Sequence, residues 1–220
     1  MPHAVYPSDT ARLPAAPAPS RAACGLPEHG FVFCCFNNAY KILPEVFALW
    51  MRLLGAIPGS VLWLLETSAE AKENLRREAH RAGVDPQRLI FAPRVGVGEH
   101  VARNAAADLF LDTYPYGAHT TANDALLAGL PLLTCAGEAL VGRIAGSQLA
   151  AIGLPELITT GFAEYEALAV KLATQPGLLK GYRERLAANR RTTPLFDMAR
   201  YARDFEDAMQ RIWAEYETQR

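Results

Sequence analysis

The chain has 220 residues, a formal net charge of -1 and a hydrophobic content of 50%. This length fits one α/β domain with a full core, and the composition excludes a disordered or fibrous protein. The balanced charge argues against a nucleic-acid partner, no apolar run is long enough for a bilayer, and the N-terminus lacks the pattern of a secretory signal. We therefore predict a cytoplasmic protein that binds neither nucleic acid nor membrane.

The chain changes character near residue 30. Residues 1–30 are rich in Pro and Ala and show no helical or strand period, which predicts a linker. From residue 31 to 220, short apolar runs alternate with amphipathic segments, the pattern of βαβ units in a mostly parallel sheet covered by helices. The predicted strands are 31–36, 60–65, 88–92, 109–112 and 131–135.

Helices are predicted where apolar side chains recur every three and four residues. One begins near Pro44, and a second follows Ser68, whose hydroxyl suits a helix cap, and ends near Gly83. Three more helical segments are predicted near 162–174, 178–190 and 197–217. The last segment carries an apolar stripe that must bury against something. Its members are Met198, Tyr201, Phe205, Met209, Ile212, Trp213 and Tyr216.

The segment after the fourth predicted strand is the richest in functional signals. The strand ends at Asp112, a loop with Pro and Gly follows, and a helix starts at His119, Thr120 and Thr121. Backbone N–H groups at a helix start, together with two hydroxyls, suit a phosphate, and loops at the carboxyl ends of parallel strands are where α/β proteins bind ligands. Alternatively, Thr120 or Thr121 only caps the helix.

Two further loops follow strands at the same predicted edge. After the first strand come the polar residues Asn37, Asn38 and Lys41. A lysine there either lends positive charge to a phosphate or is only solvated. After the third strand, His100 and Arg103 lie one turn apart on one helix face. They either hold a base or a ribose, or they form a solvated surface pair.

Several other chemistries have no support in the sequence. Gly96 and Gly98 imitate a dinucleotide fingerprint, but its third glycine would fall at Val101. There is no nucleophile elbow, zinc-protease motif or P-loop, and no pair of carboxylates at a useful spacing for a glycoside hydrolase. None of the 4 cysteines has a metal-ligand spacing, so we expect reduced, partly buried thiols and no metal site.

The chain resembles the C-terminal catalytic lobe of the protein O-GlcNAc transferase and SPINDLY-like family. The resemblance runs from about Cys24 to the C-terminus in consistent order and spacing, which is far more specific than any single motif. It rests on FNNAYK, SVLWLL, RLIFAP, EHVAR, AADLFLDT, HTTANDALLAGLPLLT, SQLAAIGLPELI and TTPLFDMARYARDFEDAM. It implies a Rossmann-like parallel sheet with helices on both faces, the C-terminal lobe of a GT-B glycosyltransferase.

The resemblance also implies an activity. The implied enzyme is an inverting glycosyltransferase that moves GlcNAc from UDP-GlcNAc to Ser or Thr hydroxyls of an acceptor protein, without a metal or another cofactor. The family's N-terminal lobe is not in this chain, so the implied partner is such a lobe or a second copy, bound through the C-terminal helix. The alternatives are a non-catalytic UDP-sugar-binding module, an inactive truncated fragment, and a related sugar such as fucose.

Residue by residue, the resemblance implies one group of contacts to the diphosphate. Lys41 would contact the departing diphosphate and is the implied catalytic residue. Asn38 would lie beside it, at a position where the family more often has Gln. His119, Thr120 and Thr121 would bind the diphosphate and the sugar at the helix start.

A second implied group of contacts surrounds the nucleoside. Asp124 would accept hydrogen bonds from the ribose hydroxyls. Backbone groups near Pro93 and Val95 would meet the uracil, and His100 and Arg103 would pack around it.

Overall fold

The computed structural model describes residues 2–4, 7–8 and 17–219, and these contain a six-stranded sheet with helices around it. The strands are β1 (Val32–Cys35), β2 (Val61–Leu65), β3 (Leu89–Ala92), β4 (Leu109–Leu111), β5 (Leu132–Cys135) and β6 (Ile158–Thr159). The helices are α1 (Pro44–Ala56), α2 (Ala69–Arg81), α3 (Val97–Arg103), α4 (Thr120–Ala128), α5 (Ile144–Ala151), α6 (Phe162–Thr174), α7 (Pro176–Asn189) and α8 (Met198–Thr218).

The sheet is parallel, with the strand order β3-β2-β1-β4-β5-β6. The chain moves outward from β1 to β3, crosses back, and then moves in the opposite direction from β4 to β6. Because parallel crossovers are right-handed, the two directions place their helices on opposite faces of the sheet. In agreement, α1 packs against α6, while α4 packs against both α3 and α5. The predicted Rossmann-like sheet with helices on both faces is confirmed.

The predicted strands and helices match the structure closely, because their sequence patterns are strong. The side chains of β1 and β4 are fully buried, as continuous apolar runs in a covered parallel sheet should be. Ser68 caps α2 by accepting from the Ala71 N–H at 3.1 Å, and Gly83 has the left-handed φ of 76° expected after this helix. Only β6 has no counterpart among the predicted strands, since two residues are too few to show a period.

The strand order reverses between β1 and β4, and this determines where ligands bind. In open α/β sheets a crevice forms outside the carboxyl ends of the strands at such a switch point. The segments that leave those ends are 36–41 after β1, 93–97 after β3, 112–121 after β4 and 136–143 after β5. We call these four segments together the carboxyl edge.

The segment before β1 is attached to the opposite edge of the sheet. Arg21 donates to Asp108 Oδ2 at 2.7 Å, and the same oxygen accepts from the Val32 N–H at 2.8 Å. Arg183 on α7 reaches the other oxygen of Asp108 at 3.3 Å. Part of the predicted linker 1–30 lies outside the described residues, and its boundary with the domain stays a prediction.

Most of the apolar stripe of α8 faces solvent, although its pattern predicts burial against another surface. No side chain of this helix is buried, and Ile212 and Trp213 are 58% and 60% exposed. Phe205, Met209 and Tyr216 are also exposed large hydrophobic residues on it. A contiguous apolar surface of this kind signals an interaction site.

The described residues show neither a clustered metal-binding set nor a helix long and apolar enough to cross a bilayer. The cysteines are free, and Cys34, Cys35 and Cys135 are buried. Burial raises the pKa of each of these three thiols, which keeps them protonated. The cytoplasmic location and the independence from metal stay predictions.

Candidate functional site

A buried carboxylate, Asp112, fastens the carboxyl edge where β4 ends. Its Oδ1 accepts from the backbone N–H groups of Thr113 at 2.8 Å and Ala118 at 2.6 Å, and from Asn37 Nδ2 at 3.2 Å. Its Oδ2 accepts from the Thr134 hydroxyl at 2.8 Å. Burial raises the pKa of Asp112, and these hydrogen bonds oppose the rise. One carboxylate therefore links β1, β4 and β5 and closes the loop 113–118.

The hydrogen bonds continue through Asn37 to the start of α4. Asn37 Oδ1 accepts from the Thr121 hydroxyl at 2.6 Å, while its Nδ2 also donates to the Thr113 hydroxyl at 2.7 Å. The N-cap residue of α4 is His119, which makes no side-chain cap bond. The Thr121 hydroxyl therefore ties the helix start to the end of β1 and is not a helix cap. Whether it also meets a phosphate stays a prediction.

Lys41 is held by the loop after β4 and is not simply solvated. Its Nζ donates to the Gly117 carbonyl at 2.9 Å and lies 3.7 Å from the centroid of the Tyr116 ring. Partial burial lowers the pKa of Lys41, and the nearby carboxylate of Asp112 opposes that change. The ammonium group thus lies at the switch point between β1 and β4.

His100 and Arg103 do not form the solvated surface pair considered from the sequence, because Arg103 is only 5% exposed. Its guanidinium stacks on Phe36 at 4.8 Å and donates to the Pro93 carbonyl at 2.6 Å and to His100 Nδ1 at 2.8 Å. Since arginine has no acceptor, Nδ1 is the acceptor and Nε2 carries the proton in the neutral ring. His100 Nε2 lies 3.9 Å from Asp124 Oδ2. Arg103 therefore positions the loop after β3 and the His100 ring.

The loop after β3 reaches across to the segment after β1. Arg94 Nη2 donates to Asn38 Oδ1 at 3.0 Å, and Pro93 and Val95 on either side of it are exposed. On the other flank, His119 Nε2 lies 3.2 Å from the Val141 carbonyl oxygen. These contacts join the segments of the carboxyl edge into one continuous surface.

The predicted site residues all lie on or beside this edge, in two groups. The group around the end of β1 and the start of α4 is Asn38, Lys41, His119, Thr120 and Thr121. The group around the loop after β3 and the helices α3 and α4 is Pro93, Val95, His100, Arg103 and Asp124. Their individual roles toward a ligand stay predictions.

Four further residues of the edge were given no role from the sequence. Asp112 and Asn37 carry the buried hydrogen bonds, Tyr116 contacts Lys41, and Arg94 contacts Asn38. An acidic residue at the end of an apolar strand is a signal that could have identified Asp112, because a buried charge needs partners. Arg94 and Tyr116 stand in irregular loops, where no period indicates a side chain's neighbours.

Comparison with known proteins gives a consistent result. The family model described as glycosyl transferase family 41 matches residues 12–205. The UDP-N-acetylglucosamine–peptide N-acetylglucosaminyltransferase of Caenorhabditis elegans is 39% identical over 199 residues, which are 90% of this chain and 17% of that protein. The probable enzyme of the same name, SEC, of Arabidopsis thaliana is 39% identical over 196 residues, 89% of this chain and 20% of that protein. The chain thus spans about a fifth of the length of these curated relatives.

Solved structures show the same relationship. A mutant O-GlcNAc transferase of Thermobaculum terrenum superposes with a TM-score of 0.84 at 31% identity, covering 96% of this chain and 39% of that one. A sucrose-phosphate synthase of Thermosynechococcus elongatus superposes with a TM-score of 0.59 at 18% identity, over 96% of this chain and 50% of that one. The second likeness is one of fold alone, and it agrees with the C-terminal lobe of a GT-B glycosyltransferase.

The raised pKa of Asp112 predicts how stability depends on pH. Between the unfolded pKa and the higher folded pKa, the folded state binds more protons, so the free energy of unfolding falls as pH rises through that window. Above the window the contribution is constant. The variant Asp112→Asn cannot ionise and should lack this fall, so its stability relative to wild type should improve from acid toward neutral pH.

Urea unfolding at a series of pH values measures this difference. Asp207→Asn, on the exposed helix α8, controls for the loss of one negative charge. A constant offset between wild type and Asp112→Asn at every pH would show that burial does not shift this carboxyl.

Proposed function

The chain belongs to glycosyl transferase family 41, and from this we propose that it is the nucleotide-sugar-binding lobe of an inverting protein O-GlcNAc transferase. The observation that carries the proposal is the position of Lys41, held at the β1–β4 switch point beside the start of α4. Nucleotides bind Rossmann-like sheets at that point, and the relatives matched over nine-tenths of this chain are named for a UDP-sugar donor and a peptide acceptor.

In the proposed reaction the acceptor hydroxyl oxygen of Ser or Thr forms a bond to the anomeric carbon of GlcNAc. The bond from that carbon to the diphosphate breaks on the opposite face, UDP leaves with the electron pair, and the anomeric centre inverts. The hydroxyl proton passes to a base outside this lobe. The part played by this chain is to stabilise the negative charge that grows on the leaving diphosphate.

Two positively charged or electropositive groups of the carboxyl edge suit the stabilisation of the leaving diphosphate. The Lys41 ammonium is fixed by Gly117 and Tyr116, so it does not need to be ordered when the charge develops. The first turn of α4 begins at Thr120 and Thr121, and a helix N-terminus attracts anions through its N–H groups and dipole. We propose that these groups replace a metal ion at the diphosphate.

The loop after β3 suits the nucleoside. Arg103 fixes the Pro93 carbonyl and the His100 ring, which leaves the exposed backbone around Val95 available to the uracil. Asp124 on α4 is buried, 3.9 Å from His100 Nε2, and we assign its carboxylate the role of acceptor for the ribose hydroxyls. Hydrogen-bonding acceptors next to an exposed backbone loop form a site that selects a nucleoside by shape and polarity.

The exposure of the α8 stripe supports the proposal that this lobe binds a partner. Five of its seven apolar side chains are exposed to solvent, and the curated relatives contain much more chain than this one. We propose that the stripe binds a family N-terminal lobe, or a second copy of this chain, and that transfer appears only with an N-terminal lobe. A non-catalytic UDP-sugar-binding module and an inactive fragment are the alternatives.

The first test of the proposal concerns UDP. Wild type should bind UDP in the presence of a chelator, and Lys41→Ala should weaken binding about tenfold or more, because a charge-assisted hydrogen bond is worth roughly 1.5–3 kcal/mol. Titration calorimetry with UDP, UDP-GlcNAc and GDP-fucose measures the affinities and the sugar preference. Lys171→Ala, an exposed lysine on α6, is the matched control and should bind like wild type. Equal affinities for wild type and Lys41→Ala would remove Lys41 from the site.

The second test concerns the α8 stripe. Light scattering should show self-association or a complex with an added family N-terminal lobe, and the double variant Ile212→Glu with Trp213→Glu should abolish it while keeping its affinity for UDP. The double variant Gln210→Glu with Ala214→Glu adds the same two negative charges on the opposite face of the helix and should have no effect. Transfer from UDP-GlcNAc to a protein by a stable monomer, without an N-terminal lobe, would contradict the proposal.

A further inference from the structure

The Lys41 ammonium lies over the ring of Tyr116, a contact that the family-based roles do not explain. The Lys41 Nζ lies 3.7 Å from the ring centroid, and Tyr116 is 39% exposed on the carboxyl edge. An ammonium group over an aromatic face is attracted by the negative potential of the ring. Tyr116 therefore contributes to where the Lys41 ammonium stays in the absence of a ligand.

The loop that presents Tyr116 is held firmly. The Tyr116 carbonyl accepts from the Thr113 hydroxyl at 2.7 Å, and the Gly117 N–H donates to the Val141 carbonyl at 3.1 Å. A Cβ atom at Gly117 would lie 3.0 Å from Asp112 Oδ2, which leaves little space for any other residue there. The ring of Tyr116 and the carbonyl of Gly117 both contact the ammonium. The loop that carries them is in turn held in place by the hydrogen bonds to Asp112.

This arrangement orders the lysine without using all its donors. An ammonium group has three N–H donors, and the structure assigns one of them to the Gly117 carbonyl. The ring attracts the positive charge as a whole and offers no single acceptor atom, so N–H donors remain for phosphate oxygens. A free lysine side chain loses much rotamer freedom on binding, and a lysine that is already ordered avoids that cost.

We propose that Tyr116 is a positioning residue, whose ring holds the Lys41 ammonium beside the Gly117 carbonyl before the donor diphosphate binds. The proposal rests on the function proposed above, since it assigns the ordered ammonium to a nucleoside diphosphate. It makes two claims that are measured separately. The ring orders Lys41 in the unliganded protein, and this order strengthens the binding of UDP.

The first claim is tested by NMR without nucleotide. Protons above an aromatic ring are shielded, so the ε-methylene signal of Lys41 should move upfield relative to those of Lys171 and Lys180, with Lys41→Arg giving the assignment. The shielding should persist in Tyr116→Phe and vanish in Tyr116→Leu. An unshifted Lys41 signal in wild type would overturn the proposal.

The second claim is tested by titration with UDP. Tyr116→Phe should bind within about twofold of wild type, and Tyr116→Leu about threefold to tenfold more weakly. Phenylalanines with an increasing number of ring fluorines at position 116 should weaken UDP binding in step with fluorine number, since fluorine depletes the negative face while the shape is kept. This series remains decisive if Tyr116→Leu does not fold.

The matched control is Tyr182→Leu, which removes a ring stacked on Arg185 at 5.2 Å on α7 and should leave the affinity for UDP unchanged. Equal or tighter UDP binding by Tyr116→Leu, with normal binding by wild type, would overturn the positioning role and leave the proposed function in place. Failure of wild type to bind UDP would overturn both.

Discussion

The burial of one carboxylate, Asp112, is the constraint on which the rest of the carboxyl edge depends. A charge removed from water is costly unless donors surround it, and here two backbone amides, the amide of Asn37 and the hydroxyl of Thr134 do so. Satisfying this carboxylate fixes the direction of the loop after β4. Tyr165 on α6 adds a hydrogen bond of 3.0 Å to the Asp112 carbonyl, so this helix also holds the end of β4.

The ligand-facing groups sit on this buried framework and are distinct from it. Asn37 and Asp112 are almost completely buried and act on backbone and hydroxyl groups, whereas Lys41, Val95 and the start of α4 lie closer to solvent. A site on a rigid scaffold keeps its geometry while the contacting residues change, which is how one fold serves many nucleotide-dependent reactions. Thr121 belongs to the buried framework in this respect, because its hydroxyl donates to Asn37. It does so although it stands at a helix start that suits a phosphate.

Local sequence patterns predicted the fold and the placing of the candidate residues at one edge of the sheet, but not the contacts among them. Apolar runs such as the one that becomes β1 fix the strands, and since parallel strands share one carboxyl edge, Lys41, His100 and His119 could be assigned to one surface. The bonds from Asn37 to Asp112 and to Thr121 join residues 75 and 84 positions apart, which spacing cannot indicate. The burial of Arg103 depends likewise on Phe36, which follows β1, and on Trp63 of β2.

The central claim is that a nucleoside diphosphate binds at the β1–β4 switch point, and amide chemical-shift mapping with UDP tests it most directly. Titration of the ¹⁵N-labelled chain should move the amides near Lys41, in the loop 93–97 and at the start of α4, while those of α8 and those near Arg21 at the opposite edge remain in place. Shifts confined to α8 or to the opposite edge, or no shifts at saturating UDP, would contradict the account.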